Sequence, residues 1–216
     1  MTTRPDIVVF DWGGVLLRIC RSWQEGCAHA GLDVRAGVED ESLRARRQDA
    51  SMRYQRGELN CDAFFAEVAD ATAGLYSAAE IAKLHDAWLI EEYPGASALM
   101  DDLLAVRTVT TGLLSNTNHR HWICQQPGNG RHFPTAGRVA HPHASHLLGH
   151  AKPDVEIYHA FEQATGFAGS QIIFFDDLAE NIATARTLGW QAVQIDHTGD
   201  PPAQMRAALR DVGIDL

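Results

Sequence analysis

The residues that could do chemistry stand at the ends of short apolar runs. Ile7-Val8-Val9-Phe10 ends at Asp11, Val109 to Leu114 ends at Ser115-Asn116, and Ile172 to Phe175 ends at Asp176-Asp177. A fourth position, Lys152, precedes Pro153 at an expected helix start, where backbone N–H groups favour an anion. If the runs are neighbouring parallel strands, their carboxyl ends form one edge, where ligands of open α/β sheets bind. Three carboxylates, a hydroxyl, an amide and a lysine would then converge. Carboxylates can hold Mg2+ and leave coordination positions for water and phosphate. One of them can also act as a nucleophile on phosphorus. The hydroxyl, the amide and the lysine can stabilise phosphoryl oxygens as charge redistributes.

The intervening segments predict the scaffold. The apolar runs, with Ala192 to Ile195 as a fourth, read as buried parallel strands. Pro153 can open a helix that places Ile157, Tyr158 and Phe161 on one face and ends at Gly166. Leu178, Ile182, Ala185 and Leu188 share a second helical face, closed by Gly189. Strands alternating with helices predict a doubly wound, Rossmann-like α/β sheet. Residues 18–94 break this rhythm with helix patterns and no convincing strand. Asn60 can cap a helix bearing Phe64, Phe65 and Val68; Ser77 to Glu80 is a capping box before Ile81, Leu84, Trp88 and Leu89. The expected organisation is therefore a core of residues 1–17 and 95–216, with a helical cap of residues 18–94 inserted after the first strand. Pro94-Gly95 is the turn back to the sheet, Gly128-Asn-Gly130 a further turn, and Arg138-Val-Ala140 a short strand.

Composition narrows the partners. The formal charge of −10 over 216 residues argues against nucleic acid, which needs clustered Lys and Arg. The one basic cluster, Arg44 to Arg47, holds three arginines and reads as a solvated helix face. No apolar stretch approaches the roughly 18 residues of a membrane span. The four cysteines (Cys20, Cys27, Cys61, Cys124) lack CxxC spacing and read as reduced thiols of a cytoplasmic protein, with Cys20 and Cys27 on one packed helix. Seven of the eleven histidines fall between His119 and His150. They read as loop or surface groups, with His119 or His121 near enough to Ser115 to reach a site.

Phe10-Asp-Trp-Gly-Gly-Val-Leu16, Leu114-Ser-Asn116, Lys152-Pro-Asp154 and Phe175-Asp-Asp177 with Asn181 resemble, in order and spacing, the four motifs of the haloacid dehalogenase-like superfamily. The resemblance implies a Rossmann-like core and a helical cap where residues 18–94 insert. It implies a magnesium-dependent hydrolase of small phosphorylated metabolites, sugar phosphates among them. By position, Asp11 becomes nucleophile and metal ligand, and Gly13 (through its carbonyl), Asp176 and Asp177 become further ligands. Ser115, Asn116 and Lys152 hold the phosphoryl group. The segment Ser115 to Asn118 with His121-Trp122 is most similar to the glucose-1-phosphate phosphatase-like branch. One departure matters: most phosphatases of the superfamily carry an aspartate two residues after the nucleophile, as general acid and base, and here Gly13 stands there. The alternatives are a dehalogenase-type hydrolase and a catalytically impaired member that binds a phosphometabolite or a protein. Asp176-Asp177 favours metal-dependent phosphoryl chemistry over the first. Asp11, Lys152 and Asp176 oppose the second.

Overall fold

The computed structural model describes residues 3–126 and 132–216, so the turn expected at Gly128 to Gly130 lies outside the described residues. Five parallel strands form one sheet: β1 (Ile7–Phe10), β4 (Thr110–Ser115), β5 (His141–Ala144), β6 (Ile172–Asp176) and β7 (Gln191–Gln194), in the order β5-β4-β1-β6-β7. β1 lies at the centre, in register with β4 on one side (Ile7 opposite Thr110) and β6 on the other (Ile7 opposite Ile172). Its residues are fully buried because both faces are covered.

The period of two along β1 sorts its side chains between two cores. Val8 and Phe10 pack with Leu99, Met100 and Leu103 of α5 (Ala96–Ala105) and with Met205 and Leu209 of α10 (Pro201–Asp211). Ile7 and Val9 face Ile157, Tyr158 and Phe161 of α8 (Val155–Thr165) and Ile182 and Ala185 of α9 (Ala179–Thr187). Helices on both faces of a parallel sheet make the fold the Rossmann-like α/β architecture. Two one-turn helices, α6 (His119–Trp122) and α7 (Ser145–Leu148), follow β4 and β5.

Between β1 and α5 the chain forms α1 (Trp23–Ala30), α2 (Glu41–Gln55), α3 (Cys61–Ala71) and α4 (Ala78–Ala87) around an apolar cluster of their own. Asn60 caps α3 through Ala63 N–H, and Ser77 and Glu80 close the capping box of α4. Contrary to the all-helical expectation for residues 18–94, a two-stranded antiparallel ribbon joins the helices to the sheet: β2 (Leu17–Ile19) with β3 (Leu89–Glu92). Leu89 belongs to β3, not to the preceding helix. The helical spacing of Leu84, Trp88 and Leu89 does not distinguish a last helical turn from a strand start, and the pairing with β2 decides it.

Other boundaries also differ. Residues Ala136–Arg138 form a 3₁₀ turn, and the strand expected at 138–140 begins at His141, where β4 offers a partner. α8 starts at Val155 rather than Pro153. Leu178 is 43% exposed and precedes α9, so it lies outside the core face assigned to it. Cys20 lies before α1, not on it, and among the described residues no disulfide forms. Among the described residues no helix is long and apolar enough to cross a membrane.

Candidate active site

Asp11 follows β1, Ser115 ends β4 and Asp176 ends β6, so the adjacent strands β4-β1-β6 bring the three side by side. All three are buried, as are Lys152 and Asp177. Lys152 reaches in from the segment before α8 and is the pivot. Its Nζ donates to the Leu114 carbonyl at 2.7 Å and to Asp176 Oδ2 at 2.6 Å, and lies 3.1 Å from Asp11 Oδ1. Two N–H groups of the ammonium are thus spent on hydrogen bonds, and Asp11 is reached as an ion-pair contact. Burial works against the charged form of Lys152, yet the pull of Asp11 and Asp176 is larger and raises its pKa.

Asp176 is held rigidly. Asn181 Nδ2 donates to both carboxylate oxygens at 3.0 Å, and Leu178 N–H donates to Oδ1 at 2.8 Å. Asp11 is less well supplied. Burial pushes its pKa up to about 6; Lys152 opposes this, while Asp176 and Asp177 add to it, and a hydrogen bond from Ser115 lowers it. Asp177 pairs with Arg21, whose Nη1 is 2.8 Å from Oδ2. Neither Asp11 Oδ1 nor Asp177 Oδ2 receives a well-directed hydrogen bond, because the cations beside them are close but poorly aligned. Asp11, Asp176 and Asp177 each offer an oxygen, all within 4.8 Å of one another. Buried oxygens without directed donors, in excess over the cations, fit a hard divalent cation. Among the described residues this is the one cluster suited to a metal, and no histidine belongs to it.

The expected residues therefore assemble at one edge of the sheet. Asn116 faces Lys152: its Nδ2 donates to the Lys152 carbonyl at 2.7 Å, and its Oδ1 accepts from Lys152 N–H at 2.8 Å. That reciprocal pair braces the lysine's backbone through the side-chain amide. His121 lines the adjacent cavity but is engaged, with Nε2 2.8 Å from the His85 carbonyl and Nδ1 3.4 Å from Asn118 Nδ2. Arg21 and His85 were not legible in the sequence, since neither lies in a motif and both arrive from the inserted helices and their linker.

The backbone between Asp11 and β2 is a tight turn, with Leu16 and Leu17 N–H groups on the Trp12 carbonyl and Gly14 N–H on the Leu17 carbonyl. Gly14, not Gly13, holds the left-handed conformation, at φ 82°. A cavity of about 660 Å³ opens beside this turn, between the core residues Trp12, Gly13 and Ser115 and the inserted helices.

This fold, with an aspartate after the central strand and a lysine and two further aspartates around it, defines a class. Residues 5–189 match the model of the haloacid dehalogenase-like hydrolases, and the chain belongs to that family. It is 26% identical over 199 residues to D-ribitol-5-phosphate phosphatase of Bacteroides thetaiotaomicron, an alignment covering 89% of this chain and 93% of the relative. A family enzyme of the same organism, solved as a magnesium complex, superposes with a TM-score of 0.72 at 22% identity, covering 94% of this chain and 100% of that one. L-2-haloacid dehalogenase from Xanthobacter autotrophicus superposes with a TM-score of 0.63 at 16% identity, covering 94% and 82%.

Proposed function

We propose that this hydrolase is a magnesium-dependent phosphatase of small phosphorylated metabolites, sugar phosphates among them, with Asp11 as nucleophile. The carrying observation is the buried Lys152 shared between Asp11 and Asp176, 3.1 and 2.6 Å away. An attacking carboxylate needs a neighbouring cation to remain ionised when buried and to accept an incoming phosphate dianion. A polyol-phosphate phosphatase aligned over most of the chain supports the same substrate class.

In this reading an Asp11 oxygen attacks phosphorus. A carboxylate–phosphorus bond forms as the ester P–O bond breaks, and the leaving oxygen takes a proton from solvent. Water then attacks the aspartyl-phosphate and gives up a proton to solvent, the bond to Asp11 breaks, and the free carboxylate returns with inorganic phosphate. Ser115 and Lys152 hold the phosphoryl oxygens, and Lys152 neutralises Asp11. Asp11, Asp176, Asp177 and the Gly13 carbonyl would hold Mg2+, which supplies positive charge against the phosphoryl group. Asn116 keeps Lys152 in place. The inserted helices form the lid that shapes the cavity, and cysteines without disulfides among the described residues suit a cytoplasmic setting.

The test is phosphate release from p-nitrophenyl phosphate. Asp11→Asn should reduce it to background with an unchanged circular dichroism spectrum, EDTA should abolish it, and Mg2+ should restore it. Sizeable turnover by Asp11→Asn would exclude the covalent route. Full activity after chelation, with halide released from 2-haloacids, would point to the dehalogenase-type reaction instead.

A further inference from the structure

The second wall of the cavity carries polar groups that the phosphoryl chemistry does not use. Arg44, Arg47, Gln48, Ser51 and Gln55 of α2 all line it. At 100° per residue these positions fall within an arc of about 100°, so one face of the helix is a continuous stripe of hydrogen-bonding side chains. An ordinary cap helix would place apolar residues on a face turned toward its neighbours. The sequence suggests a solvated cluster at Arg44 to Arg47, but the structure buries Arg47 to 6% exposure.

Arg47 is buried without a counterion. Its Nη1 donates to the Val38 carbonyl at 2.6 Å and its guanidinium lies 4.6 Å from the Trp23 ring centre. Among the described residues neither Arg47 nor Arg44 forms an ion pair. Burial lowers the pKa of Arg47, Glu39 partly offsets this, and Arg44 adds to the lowering, as expected of a cation short of negative charge. Glu39 lines the cavity too but is exposed and outside ion-pair range of both arginines. Arg21, the remaining arginine of the cavity, is taken by Asp177. Trp23 Nε1, in the same wall, is a buried donor with no acceptor. A buried guanidinium has five N–H donors, and leaving it without an anion is costly.

We propose that this wall is a second anion subsite, so that the substrate is a phosphate ester carrying a second anionic group, a carboxylate or another phosphate, at its far end. The phosphoryl group sits against Asp11, Ser115 and Lys152, and the distal anion is received by Arg47 and Arg44, with the glutamines and Ser51 available to hydroxyls between them. The proposal rests on the phosphatase reading for its first half. A guanidinium fork matches either distal group in two-point geometry.

Two esters of equal length separate the possibilities: ribitol 5-phosphate, which ends in a hydroxymethyl group, and ribonate 5-phosphate, which ends in a carboxylate. Ribulose 1,5-bisphosphate tests the second phosphate. With the magnesium-loaded enzyme, kcat/KM should be at least tenfold higher for one of the doubly anionic esters than for ribitol 5-phosphate. Arg44→Gln, at an exposed position, should cut that ratio several-fold. Arg47→Gln should bring it close to one, and Arg47→Lys should restore part of it. Calorimetric binding of the same esters to Asp11→Asn reads the subsite independently of turnover. Preferential binding to Asp11→Asn, with no hydrolysis of these esters or of p-nitrophenyl phosphate by the wild type, would retain the subsite and remove the phosphatase reading. Equal binding of all three esters by the wild type, or a ratio unmoved by Arg44→Gln and Arg47→Gln, would overturn the subsite.

Discussion

At the scale of single residues, the site is built at the expense of stability. Asp11, Asp176 and Asp177 crowd oxygens within 4.8 Å of one another, and within the cluster Lys152 is the cation that serves both Asp11 and Asp176. Burial and the two neighbouring carboxylates raise the pKa of Asp11 to about 6, which means the fold resists its charge. A group whose folded pKa is raised contributes its stability below its unfolded value and loses it as pH rises through the folded one. At neutral pH the ionised Asp11 is therefore a burden. Asp11→Asn should raise the melting temperature of the metal-free protein at pH 7.5, by about 2–4 °C for each kcal/mol of repulsion removed. Calorimetry in EDTA checks this, and a lower melting temperature would mean that the ion pair with Lys152 outweighs the crowding.

At the scale of elements, the turn from β1 to β2 places Gly13 where the proposed chemistry would call for a proton donor. An aspartate at position 13 would be the usual acid and base, and general catalysis of that kind contributes roughly 10²–10⁴-fold. Glycine supplies none, so leaving groups should matter: kcat/KM should rise steeply as leaving-group pKa falls, favouring aryl over alkyl phosphates. Gly13 is not in a left-handed conformation, and a Cβ there meets mainly the Ile19 Cδ1 atom, 2.9 Å away at the end of a flexible side chain. Gly13→Asp should therefore fold and flatten that dependence. Gly14 differs, since its φ is 82° and a Cβ would lie 2.6 Å from the Asp177 carboxyl carbon. Gly14→Ala should destabilise by at least about 1–2 kcal/mol from backbone strain alone and disturb Asp177. A flat leaving-group dependence in the wild type would reveal another proton donor.

At the scale of the whole molecule, a buried knot joins the inserted helices to the core. His85 of α4 stacks on His121 of α6 with ring centres 3.8 Å apart, and Asn118 Nδ2 lies 3.2 Å from His85 Nε2. Asn118 Oδ1 accepts from His121 N–H as the helix cap, which fixes its Nδ2 as donor and His85 Nε2 as acceptor. Burial, then His121 and Arg120, hold the His85 pKa well below 6.5, so the folded protein keeps this ring neutral. Below pH 6.5 the unfolded chain gains a proton that the native chain refuses, and stability falls with pH. The urea midpoint of the wild type should drop more between pH 7.5 and 5.5 than that of His85→Gln, whose amide oxygen can replace Nε2. Equal drops would place the acid sensitivity elsewhere.

The sequence by itself determined four of the five strands, the helices α8 and α9 on one face of the sheet and the place of Asp11, because buried parallel strands are continuous apolar runs and polar groups just past their ends converge at one edge. The caps at Asn60 and Ser77 were equally legible, since capping is chemistry between residues three apart. Tertiary structure alone decided what depends on partners distant in the chain. The pairing of β2 with β3 turned Leu89 from helix to strand across 70 residues of helical insertion. Asn116 became a brace because Lys152 presented a matching N–H and carbonyl. Arg47 passed from a solvated face to a buried cation because Val38 and Trp23, from other parts of the inserted segment, close over it, a placement fixed by packing between surfaces that helical periodicity does not encode.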